Sequence, residues 1–176
     1  MDKGFVVWLT GLPKSGKTTI ANELAKELRR RGLRVEVLDG NEVRENLSPD
    51  LGFSKADRET HARRVTYISK LLSRNGVAVI VALISPYRSF REHARGEIKN
   101  FVEVWVKCPV ETCMKRDKEG LYKKALEGKI KDMTGVNDPY ETPLKPEVVI
   151  DTDGETPNEG ADRIIEKLEK LRYIKK

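Results

Sequence analysis

The octapeptide Gly11-Leu12-Pro13-Lys14-Ser15-Gly16-Lys17-Thr18 constrains the chain more than any other feature. It satisfies GxxxxGK[ST], a pattern that works only as the turn between a strand and a helix. Its glycines let backbone amides turn inward around phosphate oxygens. Lys17 would reach the β- and γ-phosphates, and the Thr18 hydroxyl would sit at the helix start as a magnesium ligand. Lys14, inside the loop, would either touch phosphate or face water. The flanks agree with the motif. FVVWLT at 5–10 is a continuous apolar run of the kind found in strands covered on both faces. From Gly16, Ile20, Leu24 and Leu28 recur every four residues until Arg31-Gly32.

The same grammar continues along the chain. Strands are expected at 35–38, 77–84 (VAVIVALI, the most apolar run), 102–106 and 148–150, with helices over 65–72 and 109–116. Thr156-Pro157-Asn158-Glu159 has the form of a capping box, and Ile164, Ile165, Leu168 and Leu171 would share one helical face behind it. Alternating strands and helices predict an α/β three-layer sandwich, a mostly parallel sheet with helices on both faces. Ligands of such sheets sit at the carboxyl ends of the strands.

A length of 176 residues predicts one domain over 1–176, since domains run to roughly 100–200 residues. Charged residues make up 35% of the chain, yet the net charge is only +6, so the signs are mixed and no single-sign tail is present. The basic balance favours anionic partners without choosing among them. No nucleic-acid motif accompanies it. The apolar run at the start is too short for a signal or a membrane span, so a cytoplasmic protein is expected. Cys108 and Cys113 are separated by four residues and lie far from His61 and His93, a poor pattern for zinc. The chain has no glutamine and is dense in Lys, Arg and Glu, a bias that accompanies life at high temperature.

A phosphate loop of this type needs an acidic residue at the end of another strand to hold the magnesium shell. The strand at 77–84 ends in Ser85-Pro86 and supplies none. Asp39, which ends 35–38, is the candidate, and would lie beside the loop's own strand if the two were neighbours. Before Gly40, it is also an ordinary turn aspartate. With no NKxD signature for guanine, these features point to small-molecule kinases and away from GTPases.

Further blocks follow in order: Leu38-Asp39-Gly40, Val43-Arg44, Asp50-Leu51-Gly52-Phe53-Ser54, Asp57-Arg58-Glu59, Arg63-Arg64-Val65, Ile84-Ser85-Pro86-Tyr87-Arg88, Arg116-Asp117, Gly120-Leu121-Tyr122-Lys123-Lys124-Ala125, Thr134-Gly135 and Asp138-Pro139-Tyr140-Glu141. On these residues the chain resembles the adenylylsulfate kinase (APS kinase) family over nearly its whole length. That family moves the γ-phosphate of ATP to the 3′-hydroxyl of adenosine 5′-phosphosulfate (APS) in sulfate activation. The resemblance implies ATP and Mg2+ as cofactors, APS as the substrate, and a homodimer. It extends the ATP-binding set from Gly11 through Thr18 to Thr19 and Arg116. Thr18, and Asp39 through water, would serve the metal.

For the acceptor, the resemblance implies Arg44 and Arg58 on the phosphosulfate and Phe53 stacked on adenine, with Asn41, His61, Ile84, Ser85, Lys118 and Met133 around them. Residues 117–141 would form a lid. Planar guanidinium donors suit phosphate and sulfate oxygens. The bland alternatives are surface ion pairs for the arginines and a core position for Phe53. Ser85 stands where the family serine is sometimes assigned as a phosphoserine intermediate. Direct in-line transfer needs no such step, so Ser85 is read as a pocket residue or a strand terminator, with Lys17 and Asp39 serving catalysis.

Four positions depart from the family pattern: Asn41 for aspartate, His61 for asparagine, Glu119 for lysine and Met133 for phenylalanine. Glu119 would put negative charge near an anionic substrate, with Lys118 available to offset it. Two other readings stay open: a related kinase acting on another nucleotide or small hydroxyl compound, and a non-catalytic ATP-binding module.

Overall fold

The computed structural model describes residues 4–175, so the domain expected over 1–176 extends past it at positions 1–3 and 176. The chain runs β1 (Phe5–Thr10), α1 (Lys17–Arg30), β2 (Val35–Asp39), α2 (Gly40–Leu47), α3 (Lys55–Arg74), β3 (Ala78–Ala82), α4 (Arg88–Glu97), β4 (Phe101–Lys107), α5 (Val110–Arg116), α6 (Leu121–Leu126), β5 (Val148–Asp151) and α7 (Pro157–Lys170). The strands form one sheet in the order β2-β3-β1-β4-β5, and every pairing is parallel.

The central strand explains its own composition. Phe5, Val7 and Leu9 face α1 and α7, packing with Ile20, Leu24, Ile164 and Leu168. Val6 and Trp8 face the other side, with Val65 of α3 and Ala94 of α4. Because strand side chains alternate between faces, a strand covered on both must be apolar throughout, as the expected reading of 5–10 requires. Burying each such side chain contributes roughly 1.5–3 kcal/mol. The Thr156–Glu159 capping box forms as expected and starts α7 behind Pro157.

Several expectations are corrected. The strand expected at 77–84 stops at Ala82. Leu83 makes one last bond to Leu9, and the chain then turns away at Ser85, whose φ is 47°, ahead of Pro86. The helix sensed at 65–72 begins ten residues earlier, at Lys55, where Ser54 caps the Asp57 amide. Three further helices, α2, α4 and α6, were not expected. In α4 the apolar repeat is thin because Arg91 takes a buried place on its inner face. Asp39 does not end a strand beside β1, because β3 lies between β2 and β1. Among the described residues, no helix is long and apolar enough to cross a membrane.

Candidate active site

The carboxyl ends of β1, β2 and β3 open into a cavity of about 870 Å³, walled by the turn after β1, by α2 and α3, and by the segment 116–134. At Gly11 a Cβ would come within 2.5 Å of the Val106 carbonyl oxygen and 2.8 Å of Ser15 Oγ, so the strand leaves beside β4 only as glycine. Gly16 caps α1 with φ 105°, in the left-handed region that disfavours side chains. Ser15 is buried, and its carbonyl accepts from Thr152 Oγ1 at 2.8 Å. Leu12 joins the apolar cluster under 121–136, and the Pro13 carbonyl accepts from Tyr122 Oη at 2.8 Å. The phosphate-loop geometry and the segment 117–141 are thus in direct contact.

Lys17 is buried, with Nζ donating to the carbonyls of Gly11 at 2.9 Å and Leu12 at 2.7 Å. Burial pulls its pKa down to about 8, against weaker opposing pulls from nearby acidic groups, Asp39 among them. Thr18 and Thr19 are exposed to the cavity. Thr18 Oγ1 donates to Asp39 Oδ2 at 2.6 Å. Asp39 therefore reaches the loop although its strand is not next to β1. The link is made by Thr18 at the start of α1, a helix that packs on both β3 and β2. Asp39 also caps α2, its Oδ1 accepting from the Asn41 amide at 3.3 Å.

Arg116 is fixed by Thr152: Nη2 donates to its carbonyl at 2.6 Å and Nη1 to its Oγ1 at 3.2 Å. Thr152 was missed in the sequence. The rule that ligands gather past strand ends would have found it, one residue beyond β5.

On the other side of the cavity Phe53 is 58% exposed, which excludes the core reading. Two guanidiniums lie over its ring, Arg44 4.7 Å and Arg58 5.7 Å from the centroid. Arg44 Nη1 donates to the Gly52 carbonyl at 2.8 Å. Burial, then the charge of Arg58, lowers the Arg44 pKa from its ordinary value. Arg58 is more engaged than a pure anion ligand would be. It donates to Phe53 O at 2.8 Å, to Thr134 Oγ1 at 3.3 Å and to the Asp132 carbonyl, and lies 3.8 Å from Asp138. It therefore ties α3 to 132–138 as well as walling the cavity.

His61 is buried, with Nδ1 2.9 Å from Ser48 Oγ. Burial, then Arg44 and Arg64, pushes its pKa down to about 4, so it is a neutral hydrogen-bonding wall at neutral pH. Asn41 and Ile84 also line the cavity.

Three of the expected placements change. Lys118 is exposed and outside the cavity wall, because the turn after α5 directs Glu119 inward instead. Glu119 does not face the acceptor side: its Oε1 lies 2.9 Å from Lys14 Nζ in the loop. Met133 edges the cavity, but it is packed with Cys113, Tyr122 and Ala125 beneath 121–136, so it is core as much as wall.

Ser85 is 6% exposed, and its Oγ accepts from Trp8 Nε1 at 2.9 Å. The strand-terminator reading fails, since β3 ends three residues before it. Sequence reasoning also missed Trp8, Thr10 and Arg91, which hold this segment. Side chains arriving from two separate elements, β1 and α4, leave no local pattern.

Residues 3–151 match the adenylylsulphate kinase family. An adenylyl-sulfate kinase of Rippkaea orientalis is 53% identical over 175 residues, covering 99% of this chain and 97% of that protein. A probable bifunctional SAT/APS kinase 2 of Sorangium cellulosum is 53% identical over 171 residues, which is 97% of this chain but 29% of the larger protein. The structure of the Mycobacterium tuberculosis APS kinase CysC in complex with AMPPNP and APS superposes with a TM-score of 0.91 at 38% identity, over 96% of this chain and 99% of that one.

Proposed function

The chain belongs to the adenylylsulphate kinase family, and from that premise we propose that it transfers the γ-phosphate of ATP to the 3′-hydroxyl of APS. The observation that carries the reading is the sharing of one cavity by the phosphate loop and the Arg44–Phe53–Arg58 cluster. A donor triphosphate and a second, anionic, ring-bearing ligand then have adjacent seats.

ATP lies with its phosphates over the amides of 11–18 and its adenine against Arg116. Lys17 exchanges the Gly11 and Leu12 carbonyls for phosphate oxygens, whose negative charge favours its protonated form. Thr18 and Asp39 fit Mg2+: they are hard oxygen donors 2.6 Å apart. Among the described residues, no group of three or more His, Cys, Asp or Glu gathers around a metal position. The ion suited to Thr18, and to Asp39 through water, is thus one that keeps phosphate and water ligands. When bound, it neutralises the phosphate charge.

Arg44 and Arg58 hold the phosphosulfate, Phe53 stacks on the acceptor adenine, and Asn41 and His61 offer neutral hydrogen bonds. Asp39 orients the 3′-hydroxyl. The 3′-hydroxyl oxygen bonds to the γ-phosphorus, the bond from that phosphorus to the β,γ-bridging oxygen breaks to release ADP, and the hydroxyl proton passes to Asp39 or to solvent. Ser85 shapes the wall and carries no phosphate. Residues 117–141 close over both nucleotides. Two copies would associate as a dimer in the cytoplasm, which light scattering and fractionation test.

ADP release measured with and without APS tests the reaction. APS-dependent release supports it. Release indifferent to APS, or a preference for AMP, cytidine nucleotides or simple alcohols, overturns it.

A further inference from the structure

Arg91 lies on the inner face of α4 and is 2% exposed, yet it forms no part of the cavity wall. All three nitrogens of its guanidinium are used. Nε donates to Glu103 Oε1 at 2.9 Å, Nη1 to the Ser85 carbonyl and Nη2 to the Glu141 carbonyl. The two carbonyls belong to the turn after β3, which lines the cavity, and to the end of the proposed lid, just beyond its lining residues 130–134.

Those two segments meet elsewhere too. The Glu141 amide donates to the Pro86 carbonyl at 2.8 Å, and Thr10 Oγ1 bonds both the Ile84 carbonyl at 2.6 Å and Tyr140 Oη at 2.9 Å. Ser85 has φ 47°, a left-handed backbone that a non-glycine residue keeps only when its surroundings hold it. Its carbonyl is gripped by Arg91 and its hydroxyl by Trp8.

We propose that Arg91 is a positioning residue for the acceptor site, joining the Ser85 turn and the end of the 117–141 segment to one buried post. A planar fork with separate donor directions is required for this, and lysine cannot supply it. The inference rests on the acceptor assignment made above. Arg91 makes no hydrogen bond to residues 11–18, so its removal should disturb acceptor binding and leave ATP binding alone.

The test measures KM for both substrates and melting temperature in Arg91→Lys and Arg91→Met. Arg91→Lys keeps a positive partner for Glu103 but loses the fork. It should fold and raise KM for APS about ten-fold, the equivalent of one lost hydrogen bond, with KM for ATP within about two-fold of wild type. Arg91→Met should show the same split with a lower melting temperature. Should Arg91→Met not fold, Arg91→Lys decides alone. A folding failure in Arg91→Lys, both KM values rising together, or an unchanged KM for APS would each overturn the inference. Wild-type turnover on APS is measured first: its absence overturns the function reading, and this inference with it. Normal wild-type turnover beside an unaltered Arg91→Lys overturns this inference alone.

Discussion

Replacing Asp39 by asparagine removes a charge while keeping the shape and one acceptor oxygen for the Asn41 amide; the amide nitrogen then faces Thr18 and donates to its Oγ1, reversing that bond. In the fold, Asp39 caps α2 and accepts from Thr18 at 2.6 Å. Asparagine caps as well as aspartate, so that contribution is retained. The Thr18 bond falls from a charge-assisted class of roughly 1.5–3 kcal/mol to a neutral one of roughly 0.5–1.5 kcal/mol. Thr18 is exposed, so solvent screening keeps the net loss under about 1 kcal/mol. The melting temperature of a chain this size should then drop by no more than about 2–4 °C. If Asp39 orients the acceptor hydroxyl and the metal's waters, turnover should fall about 10²- to 10⁴-fold, far more than KM for ATP changes. Steady-state ADP release together with calorimetry reads both quantities. A turnover within a few-fold of wild type beside an intact fold would refute the catalytic role and leave Asp39 a helix cap. A melting drop well beyond about 4 °C would refute the stability reasoning.

Lys17, with its pKa drawn down to about 8 by burial, gives a pH signature. In the free enzyme kcat/KM for ATP should decline as pH rises through about 8, while kcat, reporting the bound state, holds to higher pH; parallel declines would count against it. For stability the sign is fixed by the folded pKa lying below the ordinary 10.5: the unfolded chain binds more protons between the two values, so stability should rise with pH across that window, a trend that Lys17→Met abolishes in pH-resolved melting. Ser85→Ala should keep substantial turnover, and no labelled protein should accumulate with ATP alone; stoichiometric phosphate on Ser85 that chases into product would overturn direct transfer. Glu119→Lys frees Lys14 and adds a second positive charge beside the loop. KM for ATP should fall by up to about five-fold at low salt, an effect that vanishes at high salt, with KM for APS little changed. A shift confined to APS would instead place Glu119 on the acceptor side.

Where chemistry is bound to local spacing, the chain announced it. The turn at 11–18 is legible because phosphate binding there is done by consecutive backbone amides, one lysine and one hydroxyl, all within eight residues. The apolar runs that become β1, β3 and β4 are legible for the same reason, since burial on two faces leaves few polar positions, Thr10 and Glu103 being buried exceptions that hydrogen bonds satisfy. The Thr156 cap and α7 are local too.

Strand order is not local. Nothing in 35–39 says that β3 separates it from β1, or that Asp39 at its end meets Thr18 at the start of α1 all the same. The partners of Glu119 and Arg58 were equally hidden: one pairs with Lys14, 105 positions away, and the other grips 132–138 from α3. Arg91 joins α4, β4 and two loops in one buried place. Side chains that bond within a few residues leave a pattern a reader can find. Those whose partners arrive from the far side of the sheet acquire their meaning only when the chain has folded.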